Sequence, residues 1–468
     1  MISWLSMVAM LLYSRHESSA TPIPRSEDCS HGQGRPHQAY GKVAPKVMII
    51  NMFYEEGKIW HDSFPTLGKG SFLDTNFTID GLSPLHPHVY CTGSGEVCQA
   101  TLGESEINAA ASMSALVLGA DAADLFDFGR TYFLVSGIAG VNPKLGTLGS
   151  VALAKFAVQA GLQYELDARD MPDNFTTGYL AYGTDTPGRP PTSFYGTEVM
   201  ELNEALRDAA FALAARDSGD DHKNDEDDDD SSPVLDDDDA AAAYRAKYRI
   251  DPSGGTTDGG GGPPHADIYG AATRPPSVLR CDSVTSDVYY SGPLLSEAFE
   301  NTTRAWTNQS QVTYCMTAQE DGAVLQVLQR AQLARRADFG RAIVMRAGSN
   351  FDRPPPSVTA LEHLLLLGQN GFQLAINNTW HAGSRIVAGI LSDWDAVYGP
   401  GIPPTNYLGD VFGSLGVRPI SARAASLGGR GAAPDGSTYA GGGGGGAEGG
   451  GGVGKRPGLL GGGGGAGG

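Results

Sequence analysis

Three short segments of this 468-residue chain place carboxylates, a guanidinium or glycines directly after runs of apolar residues. Such positions matter because ligands in open parallel α/β sheets bind outside the carboxyl ends of the strands. Lys46-Val-Met-Ile-Ile-Asn51 runs into Glu55 and Glu56, and Thr131-Tyr-Phe-Leu-Val-Ser136 runs into Gly137-Ile138-Ala139-Gly140. Ala342-Ile-Val-Met345 runs into Arg346-Ala347-Gly348-Ser349-Asn350-Phe351-Asp352. Carboxylates near a Gly-rich strand end suit proton transfer on a small polar ligand. Each segment also has a plainer reading: acidic residues opening a helix face its dipole, a Gly-rich strand end makes a tight turn, and Asp352 pairs with Arg353 or caps a turn. His86 and His88 lack Cys or carboxylate partners at ligand spacing, so neither a metal nor another cofactor is expected.

The elements that must hold these segments follow from periodicity. Apolar runs predict strands at 46–51, 88–91, 97–101, 131–136 and 342–345, with 151–162 as a strand and its extension. Helical spacing predicts helices at 106–118, 196–214, 296–306, 319–335, 357–369 and 385–398. The alternation predicts an α/β fold, a single domain with a mainly parallel central sheet flanked by helices. That domain is expected over 45–421, interrupted by a low-complexity insert at 217–276 that is expected to be disordered. Gly reaches 65 residues, and the Gly-rich tail at 422–468 has almost no apolar side chains to offset ordering entropy.

Thirteen acidic residues at 217–239 against Lys223 account for −12 of the net charge of −20, leaving only −8 on the rest. Such a run is a self-repelling solvated loop, and it argues against nucleic acid as a partner. Residues 1–20 read as a signal peptide with a small-residue site at 18–20, and 21–44 as a linker, which predicts a secreted or cell-envelope exterior protein. The apolar stretch in that peptide is too short to cross a bilayer, which needs about 20 residues. The sequons at Asn76, Asn174, Asn301, Asn308 and Asn377 fit the same route as glycosylation acceptors. Cys91 with Cys98 and Cys281 with Cys315 are read as two disulfides, leaving Cys29 over.

Several long strings, in order, resemble the fungal purine nucleoside permeases. They are Pro-Lys-Val-Met-Ile-Ile-Asn-Met-Phe at 45–53, Cys-Gln-Ala-Thr-Leu-Gly-Glu-Ser-Glu-Ile-Asn at 98–108 and Ser-Gly-Ile-Ala-Gly-Val-Asn-Pro-Lys at 136–144. Ser-Glu-Ala-Phe-Glu-Asn-Thr-Thr-Arg at 296–304, Tyr-Cys-Met-Thr-Ala-Gln-Glu-Asp at 314–321 and Asn-Phe-Asp-Arg-Pro-Pro-Pro at 350–356 complete the set. That family in turn resembles, by position, the nucleoside phosphorylase superfamily with its methylthioadenosine nucleosidases. The resemblance implies a purine nucleoside as the ligand, and a homo-oligomer is possible on the same ground.

Carried over position by position, the superfamily's water-holding Glu falls on Glu56. Its ribose-gripping Met-Glu pair falls on Gln319 and Glu320, and its Arg-Ala-Ile-Ser-Asp string on Arg346 to Asn350. Gly137, Ile138, Ala139 and Gly140 stand at the Gly-rich strand end that lines the ligand. Cleaving an N-glycosidic bond puts oxocarbenium character on the ribose and negative charge on the base, so a donor near purine N7 lowers the barrier. The chain departs from the pattern here, since Asn350 replaces the usual Asp and donates a hydrogen bond but no proton. The trimeric phosphorylases of that superfamily also use an Asn in this role. Asp352 is a second candidate acid. Where hexameric phosphorylases carry a phosphate-binding Arg this chain has Leu134 and Val135, which favours water over phosphate. The expected function is therefore binding and hydrolysis of purine nucleosides. The alternatives are a non-catalytic protein assisting nucleoside uptake, or a phosphorolytic enzyme.

Overall fold

The computed structural model describes residues 41–216, 235–249, 268–307 and 312–416. The expected signal peptide, most of the linker, Cys29, Asn308, most of the acidic run and the Gly-rich tail lie outside these residues.

Five consecutive buried residues, Val47–Asn51, form β1. It lies between β4 (Val97–Thr101) and β5 (Tyr132–Val141), parallel to both. β14 (Ala342–Phe351) runs parallel along the other side of β5. This central parallel group has both faces covered, which is why its strands read as unbroken apolar runs rather than alternating ones. Met48 and Ile50 of β1 point into a core with Ala109, Met113 and Leu116 of α2 (Ser105–Leu118) and Val324, Leu325 and Leu328 of α7 (Asp321–Leu333). Val47 and Ile49 point to the opposite face, against Trp60 of α1 (Tyr54–Ser63) and Ala382, Ile386 and Ile390 of α8 (Phe372–Ser392).

Among the described residues twelve strands join in one sheet, with antiparallel pairs at its flanks. β6 (Val151–Ala154) pairs with β14 and with β11 (Val278–Arg280), while β8 (Tyr164–Glu165) and β9 (Tyr179–Leu180) form a separate pair. Of the helices, α3 (Ala120–Leu125) follows α2, and α6 (Pro293–Trp306) stands where a helix is expected at 296–306. β2 (Thr75–Thr78) and β3 (His88–Cys91) extend it beyond β4. On the other side β13 (Tyr314–Ala318) joins β5 antiparallel and β12 (Asp282–Thr285) parallel, followed by β7 (Phe156–Gln159) and β10 (Val199–Glu201). The α/β architecture is thus as expected. Both expected disulfides form: Cys91–Cys98 joins directly opposed residues of β3 and β4, and Cys281–Cys315 ties the start of β12 to β13. Asn76, Asn174 and Asn301 are exposed, and Asn377 is half-buried in α8.

Four expectations need correction. The span 217–276 is not uniformly unstructured: α5 (Asp239–Arg245), capped by the Asp238 side chain, and the turn Ala246–Tyr248 are folded. Ala241, Tyr244 and Tyr248 recur at three- and four-residue spacing, and with Tyr269 and Ala272 they fill a core against Phe351. The linker ends earlier than expected, because Val43 bridges to Phe126. The predicted helix at 357–369 is only a short turn at Glu362–Leu366, since its leucines are exposed and give it no face to bury. The predicted helix at 196–214 divides into β10 and an Asn203-capped helix, α4 (Glu204–Ala214).

Candidate active site

Of the glutamate pair after β1, only Glu56 turns inward. Glu55 is half-buried, whereas Glu56 is 1% exposed. The Glu56 carboxylate reaches back from the first turn of α1 to accept the Met52 N–H at 2.8 Å and crosses to β5 to accept the Ile138 N–H at 2.7 Å. The two strand ends are also stitched by Asn51 Nδ2, which donates to the Ser136 carbonyl at 2.7 Å. Glu56 sits this close to β5 only because residue 137 is a glycine. A Cβ at Gly137 would collide with Glu56 Oε1 and Arg346 Nη1.

The Gly-rich strand end is not a tight turn but the second half of β5. It pairs with β14 in the register Arg346↔Gly137, Ala347↔Ile138 and Gly348↔Ala139. The register then shifts so that Asn350 meets Gly140, which leaves Ser349 as the extra residue of a bulge. Bulges re-aim side chains. Here the Ser349 hydroxyl bridges the Ala139 carbonyl and Asn350 Oδ1 (3.1 and 2.8 Å). Asn350 is exposed, and its Nδ2, which lies beside Gly140, donates weakly to the Phe351 carbonyl at 3.4 Å.

Glu320 is the N-cap residue of α7, yet its side chain makes no capping bond. One oxygen accepts the Ser105 N–H and the other accepts from Arg346 Nη2, both at 3.1 Å. Glu320 thus stands at a helix N-terminus, where a carboxylate meets the dipole, and also bonds Ser105 and Arg346 across the strand ends. Arg346, 2% exposed, also donates to Asp321 from Nε at 3.0 Å and Nη2 at 2.6 Å, and from Nη1 to the Ile138 carbonyl at 3.3 Å. Ser283 holds the second Asp321 oxygen. One buried guanidinium is thus set among Glu56, Glu320 and Asp321.

Burial disfavours the charged form of a carboxyl, and two of these groups show it. Burial pushes Glu56 up to about 8, against the pull of Arg346 and the two N–H donors, with Glu320 pushing further up. Glu320 is raised for the same first reason, burial, less the attraction of Arg346. Burial works against the Arg346 charge, but Asp321, Glu320 and Glu56 more than offset it and keep the guanidinium firmly protonated. Around this centre Glu106 is lifted to about 7 by burial and by Asp287 and Glu320, and Glu104 is raised by burial and by Glu55.

Glu56, Glu320, Arg346, Gly137, Ile138, Ala139, Gly140, Ser349 and Asn350 thus come together at adjacent ends of β1, β5, β13 and β14. Gln319 lies at the rim, its side chain between the Tyr289 hydroxyl and the Asp287 carbonyl. Asp352 does not join them. It is 2% exposed, and both its oxygens accept from Arg353 at 2.8 and 2.9 Å, so it is an ion-pair partner rather than an acid for the site. Sequence reasoning missed Asp321, whose signal was its place beside Glu320 at a strand-to-helix junction, and missed Ser105 and Glu106, which carry no local signal.

The sequence profile of the family described as purine nucleoside permease matches residues 44–403. A purine nucleoside permease of Candida albicans is 38% identical over 408 residues, covering 86% of this chain and 88% of that one. A probable purine nucleoside permease of Schizosaccharomyces pombe is 35% identical over 358 residues, covering 75% of this chain and 90% of its own. Among solved structures, a 5′-methylthioadenosine/S-adenosylhomocysteine nucleosidase of Neisseria meningitidis aligns with 74% of this chain and 99% of its own, at 14% identity and a TM-score of 0.35. A futalosine hydrolase of Helicobacter pylori aligns with 75% and 98%, at 12% identity and a TM-score of 0.38.

Proposed function

The chain belongs to the purine nucleoside permease family, and from that premise we propose that its site binds a purine nucleoside and hydrolyses the N-glycosidic bond. The observation that carries this reading is the pairing of two buried carboxylates, Glu56 and Glu320, around one guanidinium at adjacent strand ends, with Asn350 on the next strand. In the reading, Glu320 accepts from the ribose hydroxyls through the lone pairs that Ser105 and Arg346 leave free. Glu56 orients a water and takes its proton as the oxygen bonds to C1′. The C1′–N9 electron pair leaves with the base, which Asn350 steadies by hydrogen bonding before a solvent proton completes it. The products are free base and ribose.

Water rather than phosphate suits the charge of the site. Asp321 and Glu320 already engage the one guanidinium at its centre, and no other cation is bonded to these carboxylates among the described residues. A phosphate dianion there would meet three carboxyls without a bidentate partner.

Asn350 supports a second reading, in which the protein binds nucleosides without cleaving them, because an amide supplies no proton to the leaving base. In neither reading does the fold itself form the membrane path: no helix of the described residues is long and apolar enough to cross a membrane. Exported as the signal peptide would have it, the protein would bind nucleosides outside the cell or convert them to a base for a separate carrier. Base release from inosine or adenosine by the purified protein, with and without phosphate, tests the proposal. Binding without release under either condition favours the second reading.

A further inference from the structure

Among the described residues four non-glycine residues take a positive φ, and Ser105, at +73°, is the one whose amide bonds a carboxylate of the candidate site. A Cβ disfavours that left-handed conformation, and bulky or β-branched side chains tolerate it least. Such outliers persist where the surroundings over-determine them, and they cluster at ligand sites. The surroundings here are specific. Gly103, φ +93°, turns the chain after β4, and the Glu106 N–H is held by Asp287 Oδ1 at 3.1 Å. α2, which starts at Ser105, shares a buried core with α7, which starts just after Glu320. Between these anchors the left-handed turn aims the Ser105 N–H at Glu320 Oε1, while Arg346 Nη2 holds Oε2.

We propose that Ser105 is a positioning residue that fixes the angle of the Glu320 carboxylate towards the ribose hydroxyls of a bound nucleoside. The inference rests on the reading of Glu320 given above and deepens it. What the site uses is the backbone, since among the described residues the Ser105 hydroxyl has no hydrogen-bond partner. Glycine at 105 therefore preserves the device and valine destroys it. An N–H donated to a charged acceptor makes a strong hydrogen bond, so its loss weakens ribose recognition by about tenfold or more.

The test measures Kd by calorimetry, with KM and kcat where base is released, for adenosine and 2′,3′-dideoxyadenosine on the full chain, its Ser105→Gly and Ser105→Val variants, each checked for folding by thermal unfolding. The expected result is a preference for adenosine in the parent and in Ser105→Gly, and a loss of that preference in folded Ser105→Val through Kd and KM for adenosine, with dideoxyadenosine unchanged. Should Ser105→Val not fold, Ser105→Thr, less bulky but still β-branched, takes its place. A folded β-branched variant that keeps the parent's preference overturns the role of Ser105. A parent that never distinguishes the two nucleosides overturns the reading of Glu320 itself, and the inference with it.

Discussion

In the proposed hydrolysis Glu56 is the residue on which the chemistry turns, and its environment gives a pH signature. With its carboxyl at about 8, the free site holds Glu56 protonated at neutral pH, whereas a base must be ionised. kcat/KM for base release should therefore climb with pH through about 8 and level above it. A limb near the ordinary glutamate range would contradict this. Linkage gives an independent check. The folded value lies above the unfolded one of 4.5, so the stability this group contributes is fully present below pH 4.5. It is lost as pH rises towards 8, because the unfolded chain releases a proton that the folded chain retains. Glu56→Gln should flatten that part of the stability–pH curve and lower kcat by roughly 10²-fold or more. An unchanged curve would mean that the carboxyl is not perturbed.

The strand ends that hold these groups explain both what the sequence made legible and what it hid. The parallel strands announced themselves as apolar runs because both faces are covered, and the strand ends led to residues that the structure brings together, Asp352 excepted. The pairing of Gly137 with Arg346 was not legible, because register is a long-range property that no local string encodes. The substitution Gly137→Ala should accordingly cost about 1–3 kcal/mol and reduce activity, as its Cβ displaces Glu56 or Arg346. Tyr248 was hidden for another reason, since an acidic, Gly-rich neighbourhood masks a short buried element. Its ring is 0% exposed and its hydroxyl donates to the Arg353 carbonyl at 2.6 Å. Truncation to Ala should cost about 3–5 kcal/mol, measurable by denaturant unfolding. The disulfides were legible from spacing, and loop length ranks them: removing Cys281–Cys315, which spans 34 residues, should cost about 4 kcal/mol, and removing Cys91–Cys98, spanning 7, about 2 kcal/mol.

For the whole molecule, the family name implies passage across a membrane, while the described fold is a sheet covered by helices with a polar site at its strand ends. The proposed ligand binding and hydrolysis at that site would reconcile the two, because a protein that captured or cleaved nucleosides would assist uptake without forming the path itself. The central claim is that water, positioned by Glu56, breaks the glycosidic bond. The measurement that reaches it most directly is the release of hypoxanthine from inosine by purified protein in phosphate-free buffer, beside the Glu56→Gln variant. The account predicts free base and free ribose in equal amounts, no stimulation by added phosphate, and loss of release in the variant. Inosine bound but never cleaved, or cleaved only with phosphate to give ribose 1-phosphate, would contradict it.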